Sequence, residues 1–499
     1  MAASTLAELV ANPYAAKSYL VELHPYDFDT SGEVEEYLSD RGFVTSPTES
    51  PANTIYQPRV IEALNFQRSM FQSGKVGGQS IPSFGSIVLS NADGGLDDFA
   101  TYAWDNREVV VKVGEKGGNL AQHFTIFKGK SKSVEFNDLT LNVVIKDGQD
   151  QFTRTFPPNT YGGTGGTDGS SIMNGLPKPL CFGEVFNISP VLVQESETGG
   201  AIYQVHDGAI EEIVAVYQNG VEISGVTPDL SNGRFTLSAA VTGIITCDVK
   251  GAKPGGSYKE TVGEIIRHIA SEYGGLTDPD DFDTQSFTDL DTSNNATVGC
   301  YIADFSDILM TLDELANTIG AFYGFDRSGQ FNVGRFELAA GAADLELDST
   351  NLIEIQRLPT DIPHFQVNVK YKKNYTPLSE VELDASPDDR DFMLREGAME
   401  SAVASGVQTI YPNSTILEID SKFVSSSDAS TEASRLATLY GTQRDIYRVR
   451  VKTQPFTLKL NDVVKITFPR FDLTSGKLFR VISLFEDAAV NEVTLELWG

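Results

Sequence analysis

Alternation with a period of two constrains this chain more than any other feature. Val109, Val111 and Val113 alternate with Val110 and Lys112, and Leu139, Leu141, Val143 and Ile145 alternate with Thr140, Asn142 and Val144. Side chains on a strand point to opposite faces in turn, so such runs predict strands with one face on a core. Turn residues recur between them at Asp93-Gly94-Gly95, Asp105-Asn106, Lys128-Gly129 and Asp147-Gly148. That spacing suits antiparallel sheets or small barrels better than alternating strand and helix units. A chain of 499 residues is long enough for three or four packed units, at roughly 100–200 residues each.

The expected fold class is mainly β with α+β inserts, in several domains. The β units suit antiparallel sheets or small barrels, accompanied by smaller mixed domains with about three helices. The first β domain spans residues 1–160, with a short helix expected around Pro58 to Phe71. After Pro157-Pro158, the Gly-, Thr- and Ser-rich stretch 161–175 reads as a linker or loop. A second β domain occupies 176–255, with strands near Ala201 to Val205, Ile210 to Tyr217, Arg234 to Leu237 and Ile244 to Lys250. Asn219-Gly220 is its strongest hairpin signal, because both residues accept positive φ.

A mixed α+β domain follows at 256–345, and a C-terminal β unit at 346–499 carries a helix near 428–440; long insertions can make such domains discontinuous. Thr261 and Glu264 form a capping box, followed by an apolar stripe of Val262, Ile265, Ile266, Ile269 and Tyr273. Ile308, Leu312, Leu315 and Ile319 mark a second helix from about Ser306. Ala429, Ala433, Leu436 and Tyr440 mark a third, with Asp428 or a nearby serine as its cap and Gly441 as its stop. The pattern then reverts to period two: Tyr447, Val449, Val451 and Thr453 share one face, and Arg448, Arg450 and Lys452 the other. A run from Leu458 to Phe468 and a last strand through Val493, Leu495 and Leu497 complete this unit. No internal repeat of fixed period is present.

Charge narrows the function classes. With 38 Lys and Arg against 69 Asp and Glu, the formal charge is −31. Stable binding to nucleic acid or anionic membrane is disfavoured, since affinity for phosphate comes from clustered cations that release counterions. Charged residues are only 21% and hydrophobic ones 40%, which excludes a disordered acidic tail. No stretch reaches the ~18–20 apolar residues of a membrane span. Met1 to Asp29 carries only Lys17 as a cation, so a secretory signal is not expected and synthesis in a reducing cytoplasm fits.

Motifs of catalysis and ligation fail on inspection. Cys181, Cys247 and Cys300 are odd in number and far apart, which fits buried thiols better than a disulfide or metal framework. His24, His123, His206, His268 and His364 are isolated, and His268 lies off its apolar stripe, as a surface imidazole would. Gly78-Gln79-Ser80-Ile81-Pro82 has proline where a nucleophile elbow needs glycine. Gly129-Lys130-Ser131 ends like a phosphate loop, but Phe124 replaces its first glycine, so a hairpin turn is expected. Asp278, Asp280, Asp281 and Asp283 crowd together, yet Phe282 and Asp283 break the EF-hand pattern, leaving a solvated acidic loop. No catalytic residue, cofactor or metal is therefore assigned.

The candidate contact residues are Arg448, Arg450 and Lys452, a cationic row in an acidic chain. Such a row protects an outward sheet face or an edge strand, or it docks onto an acidic neighbour, which in a ring is the next copy of the chain.

Several segments together resemble the central tail hub of tailed phages and gene transfer agents, related to baseplate hubs. Near the front these are GSIVLSNADGGLDDF, WDNREVVVKVG, FTIFKGK and DLTLNVVIKD. In the middle they are KPLCFGEVFNISP (178–190) and YQVHDG (203–208), then LDELANTIGAFYGFDRSGQFNVG (312–334) and VKYKKNYT (369–376). The ending from Tyr447 to Gly499 is the clearest. Some tail-tip relatives hold an iron-sulfur cluster on four cysteines; this chain has three, and no cluster is expected.

The resemblance implies a non-enzymatic virion protein at the tail tip, made in the host cytoplasm. It implies a homotrimer whose paired β domains present a ring to the distal tail protein. The tape measure protein inside the tube and tail fibre or spike proteins outside are the other implied partners. Genomic DNA would pass through without stable binding, repelled by a lumen of Asp and Glu. The alternative is a host-surface adhesin of the tail tip, for which repeats or an aromatic-rich tip would be the usual signs; Trp104 and Trp498 are the only tryptophans.

Overall fold

The structure is a computed structural model that describes residues 3–12, 14–71, 83–196, 200–240, 242–381, 384–452, 456–490 and 492–499. The chain is mainly β, in several sheets with small helical parts. Its largest sheet has 15 strands and draws them from both ends of the chain. The C-terminal strands Leu352–Leu358, Ile446–Lys452, Glu492–Trp498 and Lys477–Asp487 run in that order into Val60–Ser69. Phe84–Ser90, Thr140–Lys146, His123–Phe136, Glu108–Glu115 and Lys17–Leu23 continue the same path. No ladder among the described residues closes it into a ring.

Alternation places the cores as expected. Val109, Val111, Val113, Leu141, Val143 and Ile145 are fully buried with Ile126 and Phe127 in the N-terminal core. In the C-terminal core Tyr447, Val449 and Val451 pack with Val464, Val481, Leu495 and Leu497. Leu139 departs from the pattern: it precedes the strand, in the turn capped by Asn137, and is exposed.

Two N-terminal expectations are corrected. Pro58 to Phe71 contains a strand, Val60–Ser69, not a helix. Its register against Phe84–Ser90 slips twice, between Val60 and Glu62 and between Glu62 and Asn65. Those bulges bury Val60, Ala63 and Leu64 together, a spacing that imitates one face of a helix. Lys128-Gly129 is likewise not a turn, because His123–Phe136 is one long strand. A Cβ on Gly129 would lie 2.5 Å from the Phe127 ring and 2.8 Å from the Lys146 carbonyl oxygen. Glycine here serves close packing within a strand.

The middle of the chain follows its sequence closely. Strands form at Ala201–Gln204, Ile210–Gln218, Arg234–Leu237 and Ile245–Ala252. Asn219 and Gly220, at φ 51° and 83°, turn the chain into Val221–Glu222. The 161–175 stretch is a loop with two short 3-10 turns, pinned where the buried Tyr161 hydroxyl donates to Gln204 Oε1 at 2.8 Å.

All three expected helices form, at Val262–Glu272, Ile308–Ile319 and Ser426–Tyr440. Ser425 supplies the third N-cap, donating to Asp428 while accepting that residue's backbone N–H. Additional short helices are Leu6–Ala11, Thr284–Ser293, Pro387–Met393 and Val407–Ile410. Thr261 accepts from Glu264 N, and Glu264 reaches back to the Thr261 backbone. Thr261→Ala is therefore expected to cost about 1 kcal/mol, read as a lower urea midpoint at unchanged slope.

Candidate functional site

The strongest candidate site is the seam where three separated parts of the chain converge. Ser69 to Asn65 pair antiparallel with Ser483 to Asp487, so the N-terminal and C-terminal sheets join edge to edge. Glu486 lies on this ladder with a fully buried side chain. Arg68, on the neighbouring strand, donates to its Oε2 at 2.6 Å. Arg327, on the turn between Ala321–Phe325 and Phe331–Arg335, donates to its Oε1 and to the Leu458 carbonyl. One carboxylate thus answers two guanidiniums from three parts of the chain. Burial lowers the Arg327 pKa to about 10, and Glu486 opposes that fall, so Arg327 is cationic at neutral pH.

A second triad braces the same region. Glu432, 1% exposed, accepts from Arg335 and Arg435 at 2.6 Å each. It ties the helix Ser426–Tyr440 to the hairpin that carries Arg327. Beside the two triads lies a cleft of about 430 Å³ lined from all three parts, including Arg68, Asp147, Arg327, Asn461 and Arg480. Asp147 is buried in its wall and accepts from Gln149 N at 3.0 Å and Ser83 N at 3.2 Å. Burial raises its pKa to about 6, against these hydrogen bonds and the nearby charge of Arg68. The arrangement holds parts together; no group of three or more His, Cys, Asp or Glu among the described residues could hold a metal ion.

Arg448, Arg450 and Lys452 lie elsewhere, on the outward face of Ile446–Lys452. That strand is not an edge, since it pairs with Leu352–Leu358 on one side and Glu492–Trp498 on the other. Its cations face glutamates of their own chain. Arg448 meets Glu496 at 2.6 Å, Arg450 meets Glu354 at 3.5 Å and Glu492 at 3.6 Å, and Lys452 meets Glu492 at 3.5 Å. Opposite charges thus pair across the strands on this face. Arg448 is 43% exposed, so Arg448→Ala is expected to cost less than about 1 kcal/mol, measured as a shift in the urea midpoint.

Other motifs resolve into local structure. Gly129-Lys130-Ser131 is strand, as described. Gly78 to Pro82 lies outside the described residues. Cys181, Cys247 and Cys300 are buried free thiols. The acidic loop is organised rather than merely solvated: Asp278 pairs with Arg267 at 2.5 Å, Asp281 accepts from Thr277 N, and Asp283 caps the helix Thr284–Ser293. His268 is not a freely solvated imidazole. Its ring meets the edges of Phe182 and Tyr273, each at 5.9 Å between centroids, and burial lowers its pKa. No local sequence signal marked Arg68, Arg327 and Glu486, because 418 residues separate Arg68 from Glu486.

No family model matches the chain, and no curated protein matches it. Among solved structures, the chain is similar to a tail protein from Neisseria meningitidis, at 8% identity over 96% of each chain, with a TM-score of 0.46. A prophage tail protein from Listeria monocytogenes is similar at 8% identity over 97% of this chain and 94% of the other, with a TM-score of 0.43. A component of a native gene transfer agent virion is similar at 13% identity over 65% of this chain and 84% of the other, also at 0.43. These are distant likenesses, all with TM-scores below 0.5.

Proposed function

We propose that this chain is a structural protein of a phage-type tail, acting without catalysis as the central hub of the tail tip. In this reading it assembles as a homotrimer, with modules divided near residues 160, 175, 255 and 345. It joins the distal tail protein and the tape measure protein to fibres or a spike. DNA passes through the assembly without being held, in keeping with a chain charge of −31. The observation that carries the reading is the continuous sheet built from both chain ends, with the α+β part clamped to it through Arg327. A β unit at each end of the chain is what a subunit contributing two domains to a tube requires. The hub-like segments quoted above lie in both of these units, which supports the same reading.

Electron microscopy of the native particle tests it. Threefold density for this chain on the tail axis is the expected result; density confined to lateral fibres would overturn the hub in favour of an adhesin. A channel lined by unpaired Lys and Arg would sink the account of DNA passage.

A further inference from the structure

Asp147 is a buried carboxylate set in a joint. Among the described residues no Lys or Arg lies within ion-pair distance of it, and it is held by the backbone N–H groups of Gln149 and Ser83 and by the Ser83 hydroxyl. The cation beside it, Arg68, is committed to Glu486. Asp147 also caps the 3-10 turn Gly148–Thr153, which is packed directly on the hairpin. A Cβ added to Gly148 would meet the Phe325 ring at 2.5 Å, and Gln149 Nε2 donates to the Tyr323 carbonyl at 3.5 Å. One side chain therefore follows the end of the strand Thr140–Lys146, starts the turn that touches the middle of the chain, and borders the cleft between them.

Charged groups approach this corner from every element around the cleft. Arg68 and Glu486 belong to the joined sheets, and Asp326 and Arg327 to the hairpin turn. Lys459, Asp462 and Arg480 come from the C-terminal unit, with Arg335 and Glu337 behind the hairpin and Asp283 and Asp289 at the helix Thr284–Ser293. Most are engaged. Asp326 accepts from Ser328 and Gln330, Asp283 caps its helix, Asp462 accepts from Lys459 N, and Arg480 donates to the carbonyls of Glu337, Leu338 and Asn461. Arg335 is held by Glu432.

We propose that Asp147 makes this seam a pH-sensitive joint, closed when its carboxyl is protonated and loosened when ionisation buries an unpaired negative charge between the N-terminal sheet and the hairpin. Protonation removes the cost of a buried, uncompensated charge; ionisation restores it and favours states in which water reaches the carboxylate. The sign follows from linkage. The carboxyl titrates near 6 in the closed seam, against an ordinary value of 3.8. Closed molecules therefore hold the extra proton between those values, and closure weakens as pH rises through that window. For an opened state with an ordinary carboxyl, the opening equilibrium grows about tenfold from pH 5 to pH 7.5.

Hydrogen exchange tests this on the full chain. Protection of the amides in Gly148–Thr153 and Ala321–Phe325, corrected for the intrinsic pH dependence of exchange, is expected to fall about tenfold between pH 5 and pH 7.5. Asp147→Asn keeps an acceptor oxygen but no titratable proton, so its protection is expected to be flat across the range. Asp289→Asn, across the cleft, should leave the wild-type slope in place. A flat wild-type profile overturns the proposal without any variant, and so does a slope that persists in Asp147→Asn.

Discussion

Glu486→Ala is expected to lower the stability of the joined sheets by about 3–5 kcal/mol. Removing this carboxylate leaves Arg68, 6% exposed, and Arg327, 12% exposed, facing each other without compensation. Arg327 retains its bond to the Leu458 carbonyl, which a single neutral acceptor makes far weaker than a buried ion pair. The loss should appear in urea unfolding as an early transition that separates the terminal β units. A loss below about 1 kcal/mol, comparable with an exposed pair, would show that the triad contributes little. Replacing all three members with apolar residues supplies the complementary result. Desolvation penalises the charges as well as the vacancy, so Arg68→Met, Glu486→Leu and Arg327→Met together are expected to recover most of what Glu486→Ala loses.

The contrast between this triad and the cationic row explains what was legible in the sequence. Arg448, Arg450 and Lys452 are visible as a row because alternation within one strand puts them on one face; their partners Glu492 and Glu496 lie on a neighbouring strand of the same unit. The capping box at Thr261 and the hairpin at Asn219-Gly220 were equally readable, because their physics is complete within a few residues. Glu486 carries no such mark. It sits in a segment of ordinary alternation, and its meaning depends on Arg68, 418 residues away, and Arg327, 159 residues away.

Misreadings arose where tertiary contact overrode local pattern. Bulges in Val60–Ser69 produced helical spacing in a strand, because that strand must follow both Phe84–Ser90 and Lys477–Asp487. Gly129 looked like a turn residue because glycine is the usual turn former; here it makes room for the Phe127 ring. The helix Thr284–Ser293 was missed because its sequence, TQSFTDLDTS, buries only Phe287 and Leu290. Asp283 caps that helix, which is why a carboxylate cluster that suggested cation binding has a structural use instead. His268 was misplaced for a similar reason: the aromatic edges that half-bury it come partly from Phe182, on a distant strand.

Phe331 shows the same convergence in apolar form, and its removal is the second large effect expected. The side chain is fully buried on the strand Phe331–Arg335. Its ring meets Phe152 and Phe325 at 5.3 Å each, Phe282 at 5.9 Å, Tyr323 at 6.0 Å and Phe287 at 6.1 Å between centroids. Phe152 belongs to the turn that Asp147 begins, Phe282 and Phe287 flank the start of the helix, and Tyr323 and Phe325 lie on the facing strand of the hairpin. Phe331→Ala should cost about 3–5 kcal/mol, combining lost burial with a cavity that five rigid rings close poorly. Phe331→Leu should cost less, because it retains most of the volume and leaves a smaller void. Both losses should fall on the transition that releases the hairpin, read by hydrogen exchange of Ala321–Phe325 during a urea series. If Phe331→Ala instead loosened only its own strand and left Gly148–Thr153 protected, the aromatic cluster would be local packing, and the clamp between the middle of the chain and the joined sheets would rest on its polar contacts, Arg327 foremost.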